Sequence, residues 1–451
     1  MHVAALLICQ GPAPAYEELA SALEARLSRV PRYRQRLSYP ALPIAAPEWV
    51  DDPSFLITRH LRRVSLPDPG TEEQLKALAG RIFSERLDRD RPLWEMWLVE
   101  HLDGDRWAIL SKVHHCLVDG ISGIDVTTLL FDADPHPGGA EEVSEPWSPH
   151  PPPGTVATIV SAAADTAAVQ LRFAGAAVRE AARPLHALGA AGRVLGGLAA
   201  VGVTATHPAP HSIYNVEIGP DRRFTWVRTS LAQFKAVRSL YGCTVNDVVL
   251  TAVTGMLRRH LQRRGEDVDG RELIAMVPVN LRRESEHAPG NRVASMYAPL
   301  PVGVADPVAR LRHVAETMDR VKHGGQVAGG EMVTRLGVLV PPALMHQAVQ
   351  LMAGPWTFNL TVTNIPGPRV ALWARGRQLL DLIPMVPLAP RHALGVAIMS
   401  YQDNLCFGLV GDREAMPDLE SMAEDLRAEL DLLFAEIGAA ATVLSGGGSG
   451  A

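Results

Sequence analysis

A chain of 451 residues with 47% hydrophobic and 20% charged residues is long enough for two domains with substantial cores, at the apolar end of folded proteins. Its formal net charge of -6 argues against nucleic acid as a bulk electrostatic partner. The four cysteines, Cys9, Cys116, Cys243 and Cys406, stand far apart and form no CxxC pair, which fits free thiols in a reducing cytoplasm.

The chain opens on an apolar run, His2 to Gln10, with no basic stretch ahead of it and no small-residue cleavage site. This predicts a buried strand rather than a signal peptide. No charge-free run reaches the ~20 residues that span a bilayer, so a soluble or peripheral protein is expected. Tyr16 to Arg29 reads as a helix with Leu19, Leu23 and Leu27 on one stripe. Arg32, Arg34 and Arg36 follow; they suit a solvated face or the phosphates of a nucleotide-bearing substrate, and the sequence leaves both open.

Thr71 to Leu87 is a predicted helix whose first turn carries Glu72 and Glu73, favourable to its dipole. Arg91 to Glu100 alternates as a strand through Pro92, Leu93 and Trp94. Asp103-Gly104 supplies a turn, and residues 106 to 115 return as the hairpin partner. That hairpin ends in His114-His115-Cys116-Leu117-Val118-Asp119-Gly120. If the strand persists to its end, His114 and His115 point to opposite faces. One imidazole then enters a reaction channel while the other packs on the scaffold, and Asp119 caps the helix that follows. Adjacent histidines also occur as ordinary surface or core residues, and imidazole plus carboxylate can bind zinc. Divergent side chains on a strand argue against both rings reaching one ion, and no metal is expected.

Residues 135 to 153 are Pro-rich and without period, which predicts a mobile linker. Thr155 to Val203 is Ala- and Gly-rich with helical propensity; Arg172, Arg179 and Arg183 share a face that suits either packing or an anionic membrane. The second half alternates strand and helix. It begins with a strand at 223–228 and a helix at 231–240, then a long helix from Val248 to Arg264 with Asn246 or Asp247 as its N-cap. Strands follow at 273–281 and 292–299, a helix at 307–321, and more helical pattern between 327 and 352. A strand at 357–363 then runs into a turn cluster, Asn364-Ile365-Pro366-Gly367-Pro368. Strands at 378–386, 395–401 and 405–410, a helix at 419–437 and a flexible tail complete the chain. No G-x-S-x-G elbow, P-loop or G-x-G-x-x-G fingerprint is present, which speaks against serine hydrolysis, nucleotide hydrolysis and hydride transfer.

Taken together, four segments in order resemble the bacterial wax ester synthase/diacylglycerol acyltransferase family of the chloramphenicol acetyltransferase-like superfamily. His114 to Gly120 is similar to its HHxxxDG block and Pro92-Leu93-Trp94 to its upstream motif. Asn246-Asp247 is similar to its ND motif, and Thr363 to Pro368 to its Ser-Asn-Val-Pro-Gly-Pro turn. Family members carry a short segment before the strand that here begins the chain, so the sequence looks N-terminally short against them.

The resemblance implies an α/β fold of two chloramphenicol acetyltransferase-like subdomains around a central tunnel, with residues 1–134 as the first and 216–440 as the second. A Pro-rich linker and Ala-rich helical connector (135–215) join them, and 441–451 form the tail. It implies transfer of a long-chain acyl group from acyl-CoA, a co-substrate rather than a resident cofactor, to diacylglycerol or a fatty alcohol. His115 is then the general base, His114 supports the site, and Asp119 and Gly120 shape it. Asn246, Asp247, Pro92, Leu93, Trp94 and Asn364 are candidates for substrate or oxyanion contacts. Association with the inner membrane or lipid droplets is an accompanying expectation. Two other readings share the fold: a condensation-type acyltransferase using carrier-protein thioesters, and a non-catalytic lipid-surface protein.

Overall fold

The computed structural model describes residues 2–39, 47–117, 129–135, 147–151, 154, 208–280, 293–323 and 354–446. The expected helices at 155–203 and 327–352, Asp119 and Gly120 lie outside the described residues. So does most of the expected linker, but its described part is not loose. The Trp147 indole N–H donates to the Asp52 carbonyl at 3.2 Å, and the His150 backbone N–H donates to the Asp51 carboxylate at 3.0 Å.

The first half contributes strands β1 (His2–Gln10), β4 (Leu61–Ser65), β5 (Trp94–Leu102) and β6 (Arg106–His114). Helix α1 (Tyr16–Arg26) is shorter than expected because its last residues, Leu27–Arg29, tighten into a 3-10 turn. Helix α2 (Glu72–Ser84) starts where predicted: Thr71 is the N-cap and forms a reciprocal capping box with Gln74. The β5–β6 hairpin also forms as predicted, its turn taken through positive φ at Gly104 and Asp105. A small ribbon pairs β2 (Gln35–Ser38) with β3 (Glu48–Asp51).

The second half contributes β7 (Arg222–Ser230), α3 (Leu231–Tyr241), α4 (Val245–Arg263), β8 (Leu273–Asn280), β9 (Val293–Leu300) and α5 (Pro307–His323). It continues through β10 (Leu360–Ile365), β11 (Trp373–Ala374), β12 (Arg377–Met385), β13 (Leu394–Tyr401), β14 (Asn404–Asp412) and α6 (Leu419–Gly446). The last helix therefore runs into the segment expected to be tail.

One six-stranded sheet has the order β11-β12-β1-β6-β5-β4, and the other β7-β14-β13-β10-β8-β9. The two layers match the expected α/β architecture, but the chain does not divide between them at residue 216. Trp373 to Met385 leave the second half and complete the first sheet, β12 pairing antiparallel with β1 from Ala4↔Met385 onward. Leu379, Leu382, Ile383 and Met385 on β12 are buried there. A strand with apolar residues on both faces needs cover on both sides, and this position supplies it.

The halves share a core. Leu6, Ile8, Leu78 and Ile82 from the first half pack in one cluster with Phe224, Trp226, Cys406 and Val410 from the second. Two glycines permit this closeness. A Cβ on Gly80 of α2 would lie 2.9 Å from the Arg222 carbonyl oxygen of β7. A Cβ on Gly408 of β14 would lie 1.9 Å from the Pro384 carbonyl oxygen of β12, a separation that requires backbone movement. Across the same seam the Arg228 guanidinium donates to both carboxylate oxygens of Glu72, each at 2.9 Å, and to Asp381 at 2.9 Å.

Gly408→Ala is expected to destabilise the fold by about 2 kcal/mol or more, the scale of overpacking in a filled interior. Thermal unfolding checks this against Gly265→Ala, where a Cβ meets nothing within 4 Å and the cost is the positive φ of 77° alone.

Candidate active site

The hairpin that carries the two histidines is pinned along its length. On β6, Ala108 and Leu110 face the core shared by the two halves, while Trp107, Ile109 and Val113 face α1. Alternation puts Lys112 and His114 on the shared-core side. Lys112 is fully buried; its ammonium donates to the carbonyls of Ile82 at 2.8 Å and Glu85 at 3.0 Å. It also pairs with Glu95, its cross-strand neighbour on β5. This ties the end of α2 to β6 two residues before the histidines.

The strand ends at His114, earlier than predicted. His114 to Leu117 form a turn closed by Leu117 N–H donating to the His114 carbonyl at 2.9 Å. His115 occupies the second position of this turn, so its direction is set by the turn and not by strand alternation. Its ring is exposed and makes no hydrogen bond to the side chain of a described residue. Protein around the ring displaces bulk water all the same, and this desolvation holds the imidazole below its usual pKa.

His114 is half-buried, and burial first of all, with the charge of Arg89 contributing, lowers its pKa to about 4. Its Nδ1 lies 2.9 Å from the Cys116 thiol and accepts the Cys116 backbone N–H at 3.3 Å. Nδ1 is therefore the acceptor, and the neutral ring carries its proton on Nε2. His2, directly opposite His114 in the sheet register, is likewise lowered to about 4 by burial.

Pro92, Leu93 and Trp94 support this turn from behind. All three are buried, and the His114 backbone N–H donates to the Leu93 carbonyl at 2.8 Å. Trp94 is 1% exposed; its indole N–H donates to the Tyr33 carbonyl at 2.7 Å. His60 completes the support and was not legible in the sequence. Its ring stacks on Trp94 at 4.6 Å and on Phe55 at 5.2 Å, and its Nδ1–H donates to the Trp94 carbonyl at 2.8 Å. Only the parallel pairing of β4 with β5, a long-range event, brings it there.

Asn246 and Asp247 sit elsewhere in the scheme. Helix α4 begins at Val245 with Thr244 as N-cap, three residues before the predicted helix start. Thr244 Oγ1 accepts the Asp247 N–H at 3.2 Å, and Asp247 Oδ2 accepts the Thr244 N–H at 2.8 Å. The threonine hydroxyl is the better-placed acceptor, so neither Asn246 nor Asp247 is the cap. Asp247 is 3% exposed, and its Oδ1 has no hydrogen-bond partner among the described residues. Asn246 is half-buried and makes no hydrogen bond to a described residue. Asn364 is also half-buried, but it lies within β10 opposite Ile398, because the strand persists two residues into the expected turn cluster. Gly367 beyond it lets the chain meet β13: a Cβ there would lie 1.9 Å from the Ser400 carbonyl oxygen. No hydrogen bond among the described residues joins Asn246 or Asn364 to the histidine turn. No group of three or more His, Cys, Asp or Glu among the described residues is placed to hold a metal ion.

Trp94→Phe keeps the ring stack but removes the indole N–H that donates to the buried Tyr33 carbonyl. The expected cost is about 1–3 kcal/mol of stability, read as a lower urea midpoint with an unchanged slope.

With this geometry in hand, comparison with known proteins is informative. The wax ester synthase/diacylglycerol acyltransferase catalytic domain family matches residues 1–249, and the family's C-terminal domain matches 289–434. The chain is 35% identical over 445 residues to a probable diacylglycerol O-acyltransferase, tgs1, of Mycobacterium tuberculosis, covering 96% of this chain and 91% of that one. It is 33% identical over 450 residues to the probable diacylglycerol O-acyltransferase tgs2 of the same organism, covering 97% and 95%. Among solved structures it is similar to the wax ester synthase/diacylglycerol acyltransferase from Marinobacter aquaeolei, with TM-score 0.68 and 28% identity over 97% of this chain and 95% of that one. The first condensation domain of the calcium-dependent antibiotic synthetase shares the fold, with TM-score 0.60 and 16% identity over 96% and 91%.

Proposed function

Because the chain belongs to the wax ester synthase/diacylglycerol acyltransferase family, we propose that it esterifies diacylglycerol or a fatty alcohol from acyl-CoA, with His115 as the general base. The observation that carries the assignment of the base is the placement of His115 at the second position of a turn held at both ends. Its ring is open to a substrate and kept neutral by desolvation.

The acceptor hydroxyl gives its proton to His115 as its oxygen bonds to the thioester carbon. The tetrahedral intermediate collapses with cleavage of the carbon–sulfur bond. The departing CoA thiolate takes the proton from the His115 imidazolium, leaving an ester, free CoA and neutral His115. This sequence calls for no resident cofactor and no covalent acyl-enzyme.

For the oxyanion our candidate donor is the Asn246 carboxamide. Thr244 does the capping of α4, which leaves the Asn246 side chain free of that task. The positive end of the helix dipole is at the same place. The acceptors are lipids, and no single helix among the described residues is long and apolar enough to cross a membrane. The lipid character of these acceptors supports action at a lipid surface.

His115→Ala is expected to lower kcat by about 10²–10⁴-fold with the melting temperature retained, measured with radiolabelled palmitoyl-CoA and diacylglycerol. Turnover near the wild-type level in the folded variant refutes the base assignment. A base works unprotonated, and the His115 pKa lies below its usual 6.5. The half-maximal point of the acid limb of kcat/KM should therefore lie below pH 6.5. Asn246→Ala should reduce kcat by about 10²–10³-fold if it serves the oxyanion. A purely structural role predicts a shift in melting temperature and no change in kcat.

A further inference from the structure

We propose that Trp147 is a positioning residue for the histidine turn: docked on the β2–β3 ribbon, it clamps Arg34 and so steadies the stack of rings behind Trp94. The assignment rests on the acyl-transfer reading and adds to it a residue of the segment that joins the two halves.

Trp147 is fastened through both its indole N–H and its ring. The N–H donates to the Asp52 carbonyl at 3.2 Å, and the Asp52 backbone N–H in turn donates to the Arg34 carbonyl at 2.9 Å. The ring covers the Arg34 guanidinium, which lies 5.0 Å from its centroid. Three residues on, the His150 backbone N–H and Nδ1 both meet the Asp51 carboxylate, at 3.0 and 2.9 Å. His150 is exposed and Trp147 half-buried, so the indole is the part of this segment that reaches inward.

From Arg34 two routes lead to the turn, and both pass through Trp94. The first runs through rings. Arg34 lies 6.0 Å from the centroid of Phe55, Phe55 stacks on His60 at 5.2 Å, and His60 stacks on Trp94 at 4.6 Å. The second runs through backbone. Arg34 is the last residue of the 3-10 turn Pro31–Arg34, and the carbonyl of its neighbour Tyr33 takes the Trp94 indole N–H at 2.7 Å. Leu93, next to Trp94, accepts the His114 N–H at 2.8 Å, and His115 follows. Each link is a ring contact, a hydrogen bond or a peptide bond.

The clamp has a physical reason in Arg34 itself, a cation held at 5% exposure. One Nη donates to the Glu24 carbonyl at 3.1 Å, and Nε has no hydrogen-bond partner among the described residues. A buried guanidinium with an unmet donor gains free energy by reaching water. The Trp147 ring closes that way out. Without it the side chain is expected to turn outward, uncovering Phe55 and loosening the stack on His60 and Trp94. Nothing need unfold, because a displacement of about 1 Å at a catalytic group costs on the order of 10² in rate. Trp49, on the same ribbon, supplies the contrast. It covers Arg32 at 4.8 Å from the ring centroid, but Arg32 is exposed, and no ring contact among the described residues continues from it to Trp94.

The test uses the full chain with palmitoyl-CoA and diacylglycerol, well below the melting temperature. W147L should lower kcat about tenfold or more, while the KM for palmitoyl-CoA stays within about twofold. W147M, likewise without a ring, carries the same expectation and stands in if W147L does not fold. W147F keeps a ring over the guanidinium and should retain most of kcat, and W49A should stay within about twofold of wild type. F55L interrupts the first route and should lower kcat by itself. The double variant W147L/F55L should then lose far less than the product of the two single losses. Wild-type kcat in folded W147L overturns the positioning role and leaves the base assignment standing. So does a raised KM with unchanged kcat, which puts the indole on the substrate. Equal losses in W147L and W49A, or a fully multiplicative loss in the double variant, overturn it as well, since either means that the ribbon is merely weakened. A wild-type chain that does not turn over palmitoyl-CoA brings down the acyl-transfer reading and the Trp147 assignment together.

Discussion

The geometry of the site depends on one backbone hydrogen bond, from the His114 N–H to the Leu93 carbonyl at 2.8 Å. It is the last rung between the strand that ends in His114 and the chain entering β5, and the turn carrying His115 begins immediately after it. The side chains behind this bond are buried or engaged. Trp94 is clamped by Tyr33 and by the stack on His60, and Lys112 is sealed beneath by Glu95 and two carbonyls. A buried ion pair such as Lys112–Glu95 adds little net stability against the cost of desolvating it. Its effect here is geometric: it fixes where α2 ends relative to β6. The upstream Pro92-Leu93-Trp94 segment therefore acts on the chemistry as support, holding a backbone that holds an imidazole.

The seam between the halves is built from equally specific contacts. β12 is contributed by the second half to the first sheet, so the two layers cannot separate without breaking the β1–β12 ladder. Glu72 accepts from Arg106 on one side and Arg228 on the other. Burial works against ionisation of Glu72, but these hydrogen bonds more than offset it and hold the carboxyl below its usual range. For Asp381, on the crossing strand, burial prevails over the attraction of Arg228 and the pKa rises. Strand exchange, close glycines and ion pairs across the seam all specify one arrangement of the two sheets.

The local parts of this structure were legible in the sequence, and the long-range parts were not. The β5–β6 hairpin announces itself through alternation around Asp103-Gly104, and the chemistry-bearing histidines follow it in the chain. The end of β6 was misplaced by one residue, which matters because it replaces alternation with a turn as what aims His115. The start of α4 was misread for a related reason: Asn246 and Asp247 are good capping residues in isolation, but Thr244 and Asp247 form a reciprocal pair that takes the role from both. The crossing of β12 and the placement of His60 depend on which strands pair, and a single sequence does not carry partner choice.

In the proposed mechanism, desolvation of His115 has opposite effects on the two halves of the reaction. A ring whose pKa is held below 6.5 is a weaker base toward the acceptor hydroxyl than free imidazole. Its conjugate acid is for the same reason a stronger acid, and the group it would protonate is an alkyl thiolate, a stronger base than imidazole. Proton return is then downhill. Expulsion of CoA becomes difficult to reverse once the carbon–sulfur bond has broken. The weaker base is tolerable because the hydroxyl need not be fully deprotonated before attack; the proton moves as the carbon–oxygen bond forms. A site that leaves the imidazole neutral and partly dry therefore favours the step that commits the acyl group to the ester.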